Sequence, residues 1–160
     1  MFVLLIGTVS AMAQESSRIG GQLLYSGSLD TPGLGLVAEF PVAPKFVIAP
    51  SFSYYFPKGD SFLRQTAWEL NGNLNYHFVT NDQVEFYGLG GINYTNVGAK
   101  FDGSSIGIGN ISTNAGELGI NLGLGANFNI GKNFLPFGEL KYIIGDFDRV
   151  VIAAGIKFNL

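Results

Sequence analysis

The stretch that decides the fold is Glu117 to Phe128, ELGINLGLGANF. Leu118, Ile120, Leu122, Leu124, Ala126 and Phe128 fall on one parity, and Glu117, Gly119, Asn121, Gly123, Gly125 and Asn127 on the other. A period of two over twelve residues is a strand with two chemically different faces, because successive Cβ atoms point to opposite sides of a sheet. The same split runs from Thr66 to Phe78 and from Val150 to Leu160. Working outward gives eight strands: Arg18 to Ser28, Gly33 to Phe40, Lys45 to Phe56, Phe62 to Phe78, Val84 to Thr95, Thr113 to Phe128, Phe134 to Ile144 and Arg149 to Leu160. Short turns near Pro41-Ala43, Thr80-Gln83 and Ile130-Asn133 alternate with loops, of which Asn96 to Ser112 is the longest. Pro50, Pro136 and the glycine run Phe86 to Gly91 mark expected irregularities, since proline removes a ladder donor.

Composition narrows the setting. Only 13% of the 160 residues are charged while 47% are hydrophobic, and the net charge is -3. Residues 1–14, 86–99, 103–116 and 118–131 are the longest runs without a charge. Each falls short of the roughly 18 to 20 apolar residues of a spanning helix. There is no basic cluster to meet nucleic acid. With no Cys there is no thiol chemistry, one His leaves only scattered carboxylates beside it for a metal, and the glycines form no phosphate-cradling pattern. No cofactor or metal is expected. The apolar run in Met1 to Ala13, ending in Ala11-Met12-Ala13, reads as a signal peptide (1–13) ahead of a barrel domain (14–160).

Alternation does not say which face points inward. A soluble lipocalin-like ligand-binding barrel would present Gly, Asn, Ser and Ala to water, a poorly charged surface. In an outer-membrane barrel the apolar face meets lipid between two aromatic girdles. Trp68 and Phe78 are ten residues apart on one face, as are Phe46 and Phe56. Ten tilted strand residues climb about 25 Å, the height of such an apolar band. The girdle residues are Tyr25, Phe40, Phe46, Tyr54, Phe56, Trp68, Tyr76, Phe78, Phe128, Phe134, Tyr142 and Phe158. The other face should carry a lumen charge network of Glu39, Glu69, Glu85, Glu117 and Glu139 against Arg18, Lys45, Lys141 and Lys157. An eight-stranded barrel is just wide enough for side chains to fill, so these groups should pair in a polar core. The fold class is therefore all-β: an eight-stranded antiparallel up-and-down transmembrane β-barrel.

These features together resemble the small eight-stranded bacterial outer-membrane barrels of the OmpA/OmpX-like, porin-family superfamily. The residues carrying the resemblance are Met1-Ala13, the eight strands, Val84-Gly91, Phe134-Tyr142 and the ending Gly155-Ile156-Lys157-Phe158-Asn159-Leu160. Gly155, Phe158 and Leu160 resemble the family's assembly signal, with Leu160 where Phe or Trp is common. The resemblance implies a bacterial outer-membrane location, insertion by the barrel-assembly machinery, and turns and termini facing the periplasm with loops outside.

The resemblance implies one of several roles, envelope-stabilising protein, adhesin or host-factor binder, narrow channel or lipid-modifying enzyme, and of these a structural or surface-interaction (adhesin-like) role without catalysis is expected, for a monomer in contact with outer-membrane lipid. A narrow porin-like channel for small solutes or ions is the alternative. An extracellular partner would be met by the 96–112 loop, with Phe101 and Asp102 as contacts. His77 falls at the periplasmic end, away from the outer-leaflet position of catalytic groups in lipid-modifying members, and is read as structural.

Overall fold

The computed structural model describes residues 16–131 and 133–160; Met1-Ala13, expected from the sequence to be a signal peptide, lies outside them. Eight strands follow in chain order: β1 (Arg18–Ser26), β2 (Thr31–Ala43), β3 (Phe46–Gly59), β4 (Leu63–Thr80), β5 (Val84–Phe101), β6 (Ile111–Phe128), β7 (Phe134–Ile144) and β8 (Arg149–Asn159). Each pairs antiparallel with its chain neighbour, and β8 returns to β1, closing the barrel. Across the membrane, closure removes the sheet edges, so the ladders satisfy the backbone groups that hydrocarbon could not. No described helix is long and apolar enough to cross a membrane.

The greasy faces point outward. Leu122 is 51% exposed and Ile152 56%, and Trp68 stands on the same outer surface between the rings of Phe52 and Tyr94. Glu69, Asn71, Asn73, Asn121 and Lys157 are buried inside. That orientation excludes the lipocalin-like arrangement, whose centre would hold the Leu and Ile side chains.

The interior is not wholly polar, which departs from the expected polar core. Leu24, Tyr55, Ala67, Ile143, Val151 and Ala153 pack together toward the loop end. Val47, Leu135 and Phe137 are buried toward the turn end. The cause is room: glycine holds the inner face of β6 at 119, 123 and 125, and a Cβ at Gly125 would collide with the Tyr87 ring. The space so freed is filled by large side chains from β5 and β7.

Proline effects are local. Pro50 stays in register with Gly72 of β4, while pairing with β2 lapses between Val37↔Ser51 and Phe40↔Ile48. Pro136 pairs with Ile156 of β8 but lies just past the last β6–β7 pair, Asn127↔Phe137. The irregularity expected around Phe86-Gly91 falls on the opposing strand, where Phe78 is the extra residue between His77 and Val79.

The expected 96–112 loop is also shorter. β5 runs to Phe101 and β6 begins at Ile111, with a 3-10 turn at Ser104–Ile106 between them. Above the bilayer no apolar face is needed, so small and polar residues such as Gly98, Ala99, Thr113 and Asn114 keep pairing without showing alternation. β7 and β8 have 11 residues each, enough to span the membrane, whereas β4, β5 and β6 have 18 and project beyond it. Leu122→Arg, which puts a cation at mid-bilayer, is expected to lower the unfolding free energy in lipid vesicles by about 2–4 kcal/mol. Urea titration followed by Trp68 fluorescence measures it.

Candidate functional site

Two regions can carry function: the packed interior and the sheet that projects above it. Inside, charge collects in two clusters. Toward the turns, Arg18 donates Nη1 and Nη2 to the two Glu85 carboxylate oxygens at 2.9 Å each, and Nη1 also reaches Glu39 at 3.3 Å. Lys157 donates to the other Glu39 oxygen at 2.5 Å and to Asn127 at 2.9 Å, while its ammonium lies 4.1 Å from the Phe137 ring centroid. His77 stacks on Tyr87, centroids 5.3 Å apart, with Nδ1 3.7 Å from Glu85.

Toward the loops, Glu69 is fully buried and accepts from Lys141 at 3.3 Å, Arg149 at 3.0 Å and Asn71 at 3.1 Å. Asn93 donates to Asn71, and Asn121 donates to Asn71 and Asn73, at 2.7 to 2.9 Å. Those asparagines come from three strands and meet because the register brings Asn71 opposite Asn93 and Asn121 near both. A buried ion survives only when paired and hydrogen-bonded, and both clusters meet that condition.

Of the charged residues expected in the interior, Arg18, Glu39, Glu69, Glu85, Lys141 and Lys157 come together in these clusters. Three do not. Lys45 sits on the β2–β3 turn at φ 67°, exposed, so its side chain has left the strand alternation. Glu117 stands half-buried at the rim, above Ile120, the last β6 residue paired to β7, and accepts from the Phe147 amide at 3.0 Å. It therefore caps the β7–β8 loop. Glu139 is half-buried and accepts the Tyr87 hydroxyl at 3.0 Å, so it joins a phenol rather than a cation.

Arg149 was missed, although it shares the parity of Val151 and Lys157 and so had a legible signal. Its position as the first residue of β8, after two aspartates, disguised it as a loop residue. Tyr55 and Tyr87 are also buried, on the parity opposite the girdle aromatics, and their residue type alone gives no sign of it.

The twelve aromatics assigned to girdles all stand on the outer surface, with Trp68 partly covered by its neighbours. Gly155 lies on the inner face against Gly21, Phe158 stands outside, and the Leu160 amide donates to Ser17 at 2.8 Å. Phe101 ends β5 in a cross-strand row with Leu63 and Ile111, so it is a strand residue rather than a loop contact. Asp102 is on the loop, and its carboxylate accepts the Ser104 hydroxyl and amide, which hold it below the usual carboxylate range. Asp30 is likewise held low by Lys58 and the Tyr25 hydroxyl.

Residues 1–159 match the family model described as outer membrane protein beta-barrel domain. Among curated proteins, none matches the chain. Solved structures do. The N-terminal β-barrel domain of Pseudomonas aeruginosa OprF aligns with TM-score 0.71 at 17% identity, over 92% of this chain and 98% of that one. Ail, the attachment invasion locus protein of Yersinia pestis, in complex with the heparin analogue sucrose octasulfate, gives 0.65 at 19%, covering 91% and 97%. Pseudomonas aeruginosa OprG gives 0.66 at 15%, covering 93% and 98%. At such identities the likeness is one of fold.

Glu69→Ala leaves Lys141 and Arg149 buried without their acid, and is expected to cost about 3–5 kcal/mol. Arg149→Leu should cost less, because Glu69 keeps Lys141 and Asn71. Urea unfolding of both variants in the same vesicles checks the ranking.

Proposed function

This chain belongs to the family of outer-membrane protein β-barrel domains and resides in the bacterial outer membrane, and we propose that it is a non-enzymatic surface-interaction protein whose contact element is the sheet projecting from β4, β5 and β6. The observation that carries the proposal is the open edge of β6. Among the described residues, the segment from Ile111 to Gly116 pairs with β5 on one side only, since pairing with β7 begins at Ile120. All six residues are exposed. An unpaired edge is a template onto which an extended peptide can add as a further strand, with main-chain hydrogen bonds supplying affinity.

Nearby, Leu63, Ile106, Ile108 and Ile111 expose apolar surface at the tip, well beyond the hydrocarbon. Such a patch suits burial against a partner. Ail, a structural neighbour, is an attachment invasion locus protein, which supports the reading by analogy.

Other parts of the reading fit this role. The outer aromatics serve as interfacial girdles, Gly155, Phe158 and Leu160 as the assembly signal, and Met1-Ala13 as the segment removed on export. The interior side chains bond to one another rather than lining a water column, which favours a plug over the narrow-channel alternative. The protein works as a monomer in lipid.

Two measurements test the role. Cells displaying the protein should adhere to immobilised extracellular-matrix protein, and Ile111→Lys/Ala115→Lys should cut adhesion several-fold while the folded band on unboiled gels persists. In planar bilayers the purified protein should show no discrete openings. Stepped currents abolished by Glu69→Gln, or adhesion indifferent to the edge lysines, would turn the reading toward transport or leave the edge without a role.

A further inference from the structure

The outward face of the projecting sheet changes character row by row. The register sets Leu70, Tyr94 and Leu118 side by side, then Trp68, Asn96 and Gly116, then Thr66, Gly98 and Asn114, and finally Arg64, Lys100 and Ser112. The order runs from apolar, through an interfacial aromatic, through neutral polar, to cationic.

Arg64 and Lys100 are exposed and directly opposite each other on neighbouring strands, which places their Cβ atoms about 5 Å apart. Like charges in that position destabilise a sheet. Among the described residues, the other cations of the loop half have acidic partners: Lys58 has Asp30, while Lys141 and Arg149 share Glu69. No described carboxylate forms an ion pair with Arg64 or Lys100, and the nearby Asp102 is turned onto Ser104.

Height identifies the missing anion. Arg64 is four residues above Trp68 on β4, about 10 Å along the membrane normal for a strand tilted about 40°. The headgroup zone is about 5–8 Å deep on each side, and Arg and Lys stems can bend several ångströms back toward it. On the other flank of the row is Gly59, which presents no side chain.

We propose that Arg64 and Lys100 together hold the phosphate of an outer-leaflet lipid headgroup, whose acyl chains lie against Leu70, Tyr94 and Leu118. The guanidinium matches two phosphate oxygens as a fork, the ammonium adds a point charge, and the Ser112 hydroxyl is within the same row.

The test mixes folded protein in detergent with bisphosphorylated lipid A, or with the same lipid dephosphorylated, and counts retained lipid by native mass spectrometry. The phosphorylated form should be retained preferentially. Arg64→Gln/Lys100→Gln should weaken retention about five-fold per cation. Arg64→Lys/Lys100→Arg should restore most of it, Lys58→Gln should leave it unchanged, and all variants should keep the folded gel band.

Equal retention by the Gln double variant, equal retention of the dephosphorylated lipid, or equal loss in Lys58→Gln would each overturn the proposal. Displacement by inorganic phosphate at matched phosphate concentration would also overturn it, by assigning the pair to a free anion.

Discussion

Hydrocarbon contains no water to satisfy a backbone amide or carbonyl, and this one constraint organises the molecule. A strand that crosses must bond on both sides, so the sheet closes on itself through β1 and β8. Once it has closed, period-two geometry leaves each residue only two places to go. Leu and Ile take the outside at no cost because lipid is apolar. The inside is then a narrow tube, and its contents must satisfy one another. The glycines on the inner face of β6 follow from that narrowness: without them Tyr87 would have no room, and His77 and Lys157 would lose the ring they lie against.

Filling the tube with charge is tolerable only because the charges are grouped. Glu69 faces two cations and an amide, and Arg18 spans two carboxylates, so neither cluster leaves an ion alone. The asparagines between the clusters supply both donors and acceptors, which lets them join strands without further charge. Toward the loops the apolar group around Tyr55 and Ile143 continues the same filling. The interior is thus built as a core, of the kind a soluble protein would have, with polar contacts in place of much of the grease.

Above the membrane the constraint is lifted. Water can bond an exposed edge, so β6 continues beyond β7 with β5 as its partner among the described strands. Charged side chains can stand on the outer face, where lower down they would meet acyl chains. The row sequence from Tyr94 to Lys100 is the protein's record of where lipid ends. Both the open edge and the cation pair arise there because three strands are longer than the bilayer requires.

The alternation of Glu117 to Phe128 and its counterparts determined strand number and the all-β class, because a side chain's parity is a local property, and the ten-residue spacing of aromatics on the apolar face determined the membrane setting. Parity together with the cost of a charge in lipid placed Arg18, Glu39, Glu69, Glu85, Lys141 and Lys157 inside, and parity alone would have added Arg149. Tertiary structure decided what parity cannot express. Lys45 left the interior through a turn conformation, and Glu117 became a rim cap because β7 ends below it. Phe101 became part of a strand because pairing with Leu63 and Ile111, rather than hydrophobic pattern, extended the sheet into water. Which acid meets which base, and which cations on the outer face meet none, depends on register between strands far apart in sequence, and only closure of the barrel sets that register.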